Sequence, residues 1–169
     1  MECNVFYRMI FKPFWPCEES IDSLDECLNN LELRTIIKDF RTKDNTLSIW
    51  NLDDPKDVVL ALINPNYRLE DAFFVKITKE ELEANGLILN NNKGNSIFEE
   101  LNENHYDIVD VNYKTLGKVS KLILSALKNG DCELVTTHEI IKIIRKLVDE
   151  EKINVAKLPK EIKEKIAGQ

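Results

Sequence analysis

The amino-acid sequence predicts an α+β fold, with a split βαβ (ferredoxin-like) or related mixed sheet, helices on one face of it and a C-terminal helical segment. Two observations lead to this prediction. Strand-type segments alternate with helix-start patterns over residues 1–77, and amphipathic helical patterns dominate after residue 112. The chain has 169 residues, of which 43% are hydrophobic, so it can bury a core of ordinary size.

Residues 1–77 predict the order β-α-β-β-α-β, which is the split βαβ arrangement of ferredoxin-like folds. Aromatic and β-branched residues are frequent in the four predicted strands, which are 3–11, 33–41, 46–52 and 72–77. The turn-like residues 42–45 separate the second and third of these segments. We therefore expect those two segments to form a hairpin.

Helix starts are predicted by capping boxes, in which a Ser or Thr oxygen accepts from a backbone amide three residues on and a Glu side chain there reaches back. Four such pairs occur: Ser23 with Glu26, Thr78 with Glu81, Ser96 with Glu99, and Thr136 with Glu139. Asp54-Pro55 is a fifth start, and it predicts a short helix over 55–63. Asn85-Gly86 and Asn129-Gly130 are typical of helix ends.

The second half of the chain predicts one more strand, 106–111, and then helices over 113–128 and 138–151. A short third helix is expected near Pro159, and the asparagine-rich stretch 90–95 predicts a loop with local mobility. We expect the sheet core to occupy residues 1–112, with the amphipathic helices of 113–169 packed on it as one continuous domain.

The charge is unevenly distributed along the chain. The formal net charge is -7, but residues 1–112 hold 11 basic against 22 acidic side chains, whereas residues 113–169 hold 12 against 8. An acidic protein repels nucleic acid and anionic membranes over most of its surface. The sequence therefore argues against a protein whose whole surface binds either of them.

The sequence also indicates a cytoplasmic protein. Its apolar runs are far shorter than the roughly 20 residues that span a bilayer, so no membrane partner is expected. Glu2 and Arg8 are unlike a signal peptide. Frequent Asn, Lys and Ile residues suggest an AT-rich genome of bacterial or phage type. The four cysteines form no C-x-x-C pair and are expected to be reduced: Cys3, Cys17, Cys27 and Cys132.

Patterns typical of catalysis are missing from the sequence. The five glycines are too widely spaced for a phosphate-binding loop, and no G-x-S-x-G elbow occurs. His138-Glu139 lacks a second histidine one turn later, because residue 142 is Lys. His105 is interpreted as an edge-strand residue. We therefore predict no catalytic residue, no metal site and no cofactor.

These features favour a non-enzymatic protein that binds a basic partner. Our hypothesis is an acidic inhibitor of the immunity-protein or antitoxin type, whose charge attracts a cationic protein such as a toxin. An aromatic anchor flanked by acids is typical of such surfaces. The predicted partner-binding residues are Trp15, Glu18, Glu19, Asp22, Asp25, Asp53, Asp54 and Asp57.

Two alternatives belong to other functional classes. The first is a small enzyme that acts on a phosphorylated substrate through strand-end carboxylates, Asp53, Asp54 or Glu70, with Mg²⁺. The second is a nucleic-acid regulator that uses the basic C-terminal helices. Its phosphate contacts would come from Lys114, Lys118, Lys121, Lys128, Lys142, Arg145 and Lys146.

Overall fold

A computed structural model of the chain describes residues 4–16, 22–32, 35, 38–40 and 44–168. Within these residues there are six strands: β1 (Val5–Ile10), β2 (Leu47–Trp50), β3 (Ala72–Thr78), β4 (Leu89–Asn91), β5 (His105–Ile108) and β6 (Cys132–Val135). They form one sheet in the order β4-β5-β2-β1-β3-β6, and every neighbouring pair is antiparallel.

Six α-helices have both ends within the described residues: α1 (Leu24–Asn29), α2 (Pro55–Leu62), α3 (Lys79–Ala84), α4 (Tyr113–Asn129), α5 (Thr137–Asp149) and α6 (Lys160–Ala167). Short 3-10 turns occupy Lys12–Phe14, Glu99–Asn104 and Val155–Lys157. The α+β class predicted from the sequence is confirmed, and the predicted helices over 55–63, 113–128 and 138–151 agree closely with α2, α4 and α5.

Local capping chemistry explains where several helices begin. Thr78 and Thr136 form complete capping boxes, because each accepts from the backbone of its glutamate and receives that glutamate's carboxylate in return. The predicted box at Ser96 is wrong. The Ser96 hydroxyl is buried, lies 2.8 Å from the carbonyl oxygen of Leu60, and accepts from the amide of Phe98.

The split βαβ unit consists of β2, α2 and β3. Both strands pair antiparallel with β1, which lies between them, so they run parallel to each other. β5 is antiparallel to β2, and β6 is antiparallel to β3, so β5 and β6 also run parallel to each other. The helix α4 connects them across the three strands that lie between. The whole sheet has six strands, so it is related to the ferredoxin-like arrangement without copying its four-stranded order.

Helices cover both faces of the sheet, whereas the sequence suggested one face. The α2 and α4 connections pass in the same direction across the sheet, but the strands that precede them run in opposite directions. Crossovers share one hand in nearly all proteins, so these two helices must lie on opposite faces. The apolar residues of α4 accordingly pack with Phe6 and Val75, and those of α2 pack with Tyr7 and Phe74.

Two apolar clusters result, one on each face. The first contains buried residues of β1, β3 and α4 and is completed by Leu24, Cys27 and Leu28 of α1. The second contains α2, α5 and α6, with Val58, Ile140, Ile144 and Ile162 almost fully buried. Each cluster removes a long strip of apolar surface from water, which is the main favourable contribution to folding.

The predicted hairpin of 33–41 with 46–52 is wrong. The second segment contains β2, but Thr35, Lys38 and Asp39 of the first segment are helical. Two side chains of this first segment bind the chain just after β1: the Thr35 hydroxyl donates to the carbonyl of Phe14, and the Asp39 carboxylate accepts from the amide of Phe11. These contacts place the described residues of the segment against the chain that follows β1.

Both edge strands come from segments for which the sequence predicts a loop or helices. β4 begins just before the asparagine-rich stretch predicted as a loop, and it includes Asn90 and Asn91. β6 lies between α4 and α5, within the part predicted to contain helices only, and it pairs with β3. Over the described ranges, none of the helices combines the length and apolarity needed to span a membrane.

Candidate functional site

An acidic pocket lies where α1 meets the chain that follows β1. It has a volume of about 450 Å³, and Phe14 and Trp15 contribute aromatic surface to its lining. Three exposed acidic residues contribute to the same lining: Asp22, Glu26 and Glu32. Asp22 precedes α1, Glu26 lies in its first turn and Glu32 follows it, so one short helix brings all three to the pocket.

The aromatic side of the acidic pocket is held by Asp39. Its carboxylate accepts from the indole Nε1 of Trp15 and from the amide of Phe11 at 3.0 Å. The Trp15 ring also meets Phe40 edge to face, with ring centroids 6.1 Å apart. Trp15 is only 5% exposed, so its ring belongs mainly to the core and presents only a small surface to the pocket.

Arg8 lies beneath this side of the molecule and is half-buried. Its guanidinium donates to the carbonyl oxygens of Ser48, at 2.7 Å, and of Asp39. Burial lowers the pKa of Arg8 to about 10, and the Asp39 carboxylate opposes part of that change. At neutral pH the side chain is therefore still a cation, and Asp39 is the carboxylate that compensates it.

Lysines of α4 hold α1 in place. Lys121 Nζ lies 2.7 Å from a carboxylate oxygen of Asp25, and Lys128 Nζ donates to the backbone carbonyl of Asp22 at 3.0 Å. A third lysine of this helix, Lys118, donates to the carbonyl of Asn85 at 2.6 Å. Three of the four α4 lysines assigned to the nucleic-acid alternative are thus engaged within the protein. The Asp25 carboxylate already has a cationic partner.

A second acidic group stands at the start of α2 and consists of Asp53, Asp54 and Asp57, all exposed. Asp54 caps the helix by accepting from the amide of Lys56 at 2.8 Å. Partial burial raises the pKa of Asp57, and the negative charges of Asp54 and Asp53 raise it further. This group therefore concentrates negative charge at the N-terminal end of α2.

The structure does not bring the predicted partner-binding residues into one patch. Trp15, Asp22 and Asp25 lie on the face of the sheet that carries α1, whereas the acids of α2 lie on the other face. Glu18 and Glu19 lie outside the described residues. From the sequence, Glu26 is expected only as a helix-capping residue, and Glu32 is not among the expected site residues. Their spacing from Asp22 along one helix is the signal that could have identified them.

The carboxylates of the enzyme alternative do not converge. Asp53 and Asp54 follow the C-terminal end of β2, whereas Glu70 precedes the N-terminal end of β3. Because β2 and β3 run parallel, Asp53 and Asp54 lie at the opposite end of the strands from Glu70. Within the described part of the chain, no group of three or more His, Cys, Asp or Glu side chains is placed to hold a metal ion.

His105 belongs to a polar network between β4, β5 and β2. Its Nδ1 lies 2.6 Å from the carbonyl of Asn92, and its Nε2 lies 3.8 Å from the buried carboxylate of Asp107. Asp107 accepts from the side chains of Ser48 and Asn92, and the Trp50 ring lies against the imidazole. The network joins three strands and leaves the imidazole largely covered.

Comparisons of this chain with protein-family models, with curated proteins and with solved structures find no match.

Proposed function

We propose that the protein is a cytosolic, non-enzymatic binding domain that covers a basic protein partner, as an inhibitor of the immunity-protein or antitoxin type does. The observation that carries this proposal is the acidic pocket, a concave site where carboxylates surround aromatic side chains. Asp22 and Glu26 have no side-chain ion pair among the described residues, so their charges remain available to a ligand.

The chemistry of the acidic pocket suits an arginine or lysine side chain. An arginine could place its aliphatic stem and planar head against Phe14 while its guanidinium reaches the carboxylates of Asp22 and Glu26. A charge-assisted hydrogen bond of this kind is about twice as strong as a neutral one. The acidic surface around the pocket would also steer a cationic protein toward it.

The acidic pocket is a better partner site than the acids of α2. Asp54 is already used as a helix cap, and the pKa of Asp57 is raised by partial burial and by its two acidic neighbours. That end of α2 provides charge, but its three acids do not line any of the four pockets described for the molecule. We therefore assign recognition to the acidic pocket and only long-range attraction to the acids of α2.

The test compares D22N/E26Q with the matched control E80Q/E100Q, which removes two exposed charges elsewhere. Tagged wild-type protein first captures its partner from an extract of its own cells, and association rates are then measured with the purified pair. We expect D22N/E26Q to associate about fivefold more slowly at low salt, with the control close to wild type. The difference should disappear at 1 M salt, where the Debye length is about 3 Å.

The other outcomes either contradict the proposal or favour one of the alternative functions. An acidic partner, or an association rate that does not depend on salt, contradicts the proposal. A thermal shift that requires Mg²⁺ would favour the enzyme alternative, and duplex DNA that binds at low salt in place of a protein would favour the regulator.

A further inference from the structure

A cationic groove runs between α5 and α6, on the face of the sheet opposite the acidic pocket. Its volume is about 830 Å³, and α5 lines it along almost its full length. The residues that matter for the argument are His138, Ile141, Lys142, Arg145, Lys146 and Lys165. We call this surface the basic groove. Its lining holds four cationic side chains and two carboxylates, Asp149 and Glu150, in a chain whose net charge is -7.

The sequence places these cations on one side of α5. Ile140 and Ile144 point into the core, so Lys142 and Lys146, each two positions further on, face outward. Arg145 is fixed across the groove because its Nη2 donates to the backbone carbonyl of Lys165 at 2.8 Å. The geometry of the groove is therefore set by packing and by a bond between its two walls.

Two cations of the basic groove keep their charge free of an acidic partner. Within the described ranges, the ammonium groups of Lys142 and Lys165 have no carboxylate partner. Glu150, at the far end of the groove, lies 2.7 Å from Lys152 and 3.9 Å from the exposed Lys146, and these contacts lower its pKa. The unbalanced charge of the groove is positive.

We propose that the basic groove binds an acidic amphipathic helix of a partner protein. Lys142 and Lys146 are four residues apart, so they are separated by about 6 Å along α5. Carboxylates four residues apart on a partner helix have the same spacing. The aliphatic stems of the lysines provide apolar surface for the side chains between those carboxylates, and Ile141, which is buried and 8% exposed, adds only a small area to it.

The same features favour a peptide over nucleic acid. A phosphate backbone gains nothing from apolar surface, whereas an amphipathic helix buries it. Asp149 also lines the end of the groove and would repel a continuous row of phosphates. This inference concerns a different face from the acidic pocket, so it does not depend on the proposed function.

The test uses a fluorescent synthetic peptide of about 14 residues with Glu at positions i and i+4 and Leu between them. A peptide of the same composition in scrambled order and a short DNA duplex are the comparison probes. Fluorescence anisotropy is measured with wild type, with K142Q/K146Q, and with the control K76Q/K114Q, which removes exposed lysines of β3 and α4. Thermal melts check that each variant is folded.

We expect the amphipathic peptide to bind more tightly than the scrambled one. K142Q/K146Q should weaken its binding about fivefold, and the control should not. The proposal is overturned if the peptide does not bind at about 1 mM protein, or if K142Q/K146Q binds it as well as wild type does. It is also overturned if the duplex binds more tightly than the peptide, or if the same two lysines instead support self-association in sedimentation experiments.

Discussion

Replacing Asp39 by Ala tests how much its carboxylate stabilises the aromatic side of the acidic pocket and the neighbouring Arg8 guanidinium. Asp39 accepts from the amide of Phe11 and the indole of Trp15, and it is the carboxylate that compensates the Arg8 guanidinium. A buried donor without a partner destabilises by about 1–3 kcal/mol. The Arg8 guanidinium is half-buried and donates to the backbone carbonyl of Asp39, which the substitution keeps, so Arg8 loses only the attraction of the carboxylate charge.

We expect D39A to lose about 1–3 kcal/mol of unfolding free energy, because the amide of Phe11 and the indole of Trp15 lose their acceptor. That is a substantial part of the roughly 5–15 kcal/mol that stabilises a typical protein. D39N keeps one acceptor oxygen for Trp15 but removes the charge, so its loss should be smaller than that of D39A.

Urea denaturation followed by tryptophan fluorescence measures the change, because Trp15 and Trp50 are both buried. The control is D131A, an exposed acid whose loss should change the unfolding free energy by less than about 0.5 kcal/mol. If D39A unfolds within about 0.5 kcal/mol of wild type with an unchanged m-value, the Asp39 carboxylate does not stabilise this part of the fold.

Two further predictions concern pH. Because the pKa of Asp57 is raised in the folded protein, the unfolded chain loses this proton first and the unfolding free energy falls as pH rises above about 4. D57N should therefore be more stable than wild type at pH 7, on the order of 0.5 kcal/mol since the side chain is exposed, and equal to it near pH 3 in thermal melts. Equal stability at pH 7 would contradict this. Burial first, and then Glu70 and Glu161, raise the pKa of Tyr67 to about 12, so wild type should lose stability between pH 10 and 12 while Y67F loses less. An ultraviolet titration without a tyrosine ionising near pH 12 would refute the assignment.

Features fixed by neighbouring residues were predicted well from the sequence. The boxes at Thr78 and Thr136 need only a glutamate three residues on, and both form. Ser96 has the same pattern, but the fold places it against the carbonyls of Leu60 and Ile63, which take its hydroxyl. A local pattern cannot reveal such a distant competitor.

The hairpin prediction failed because strand composition was given more weight than spacing. Leu33, Ile36, Ile37 and Phe40 are spaced i, i+3, i+4 and i+7, which is the helical period. Among the described residues, only Trp15 and Asp22 of those expected from the sequence line the candidate acidic pocket, and the reason is different. Charge counting identified acidic segments, but whether α1 and α2 share a face depends on how the chain crosses the sheet, and no short pattern encodes that.

Placing the acidic pocket and the basic groove on opposite faces limits how strongly they influence each other. A helix packs about 10 Å from the layer beneath it, so α1 and α5 are about 20 Å apart. At physiological salt the Debye length is about 8 Å, and a charged ligand on one face does not affect the other. At 0.01 M salt that length is about 30 Å, so a cationic ligand on one face strengthens an anionic ligand on the other, and the effect is reciprocal. If both proposed sites bind their ligands, ionic strength determines whether the two binding events are independent or cooperative.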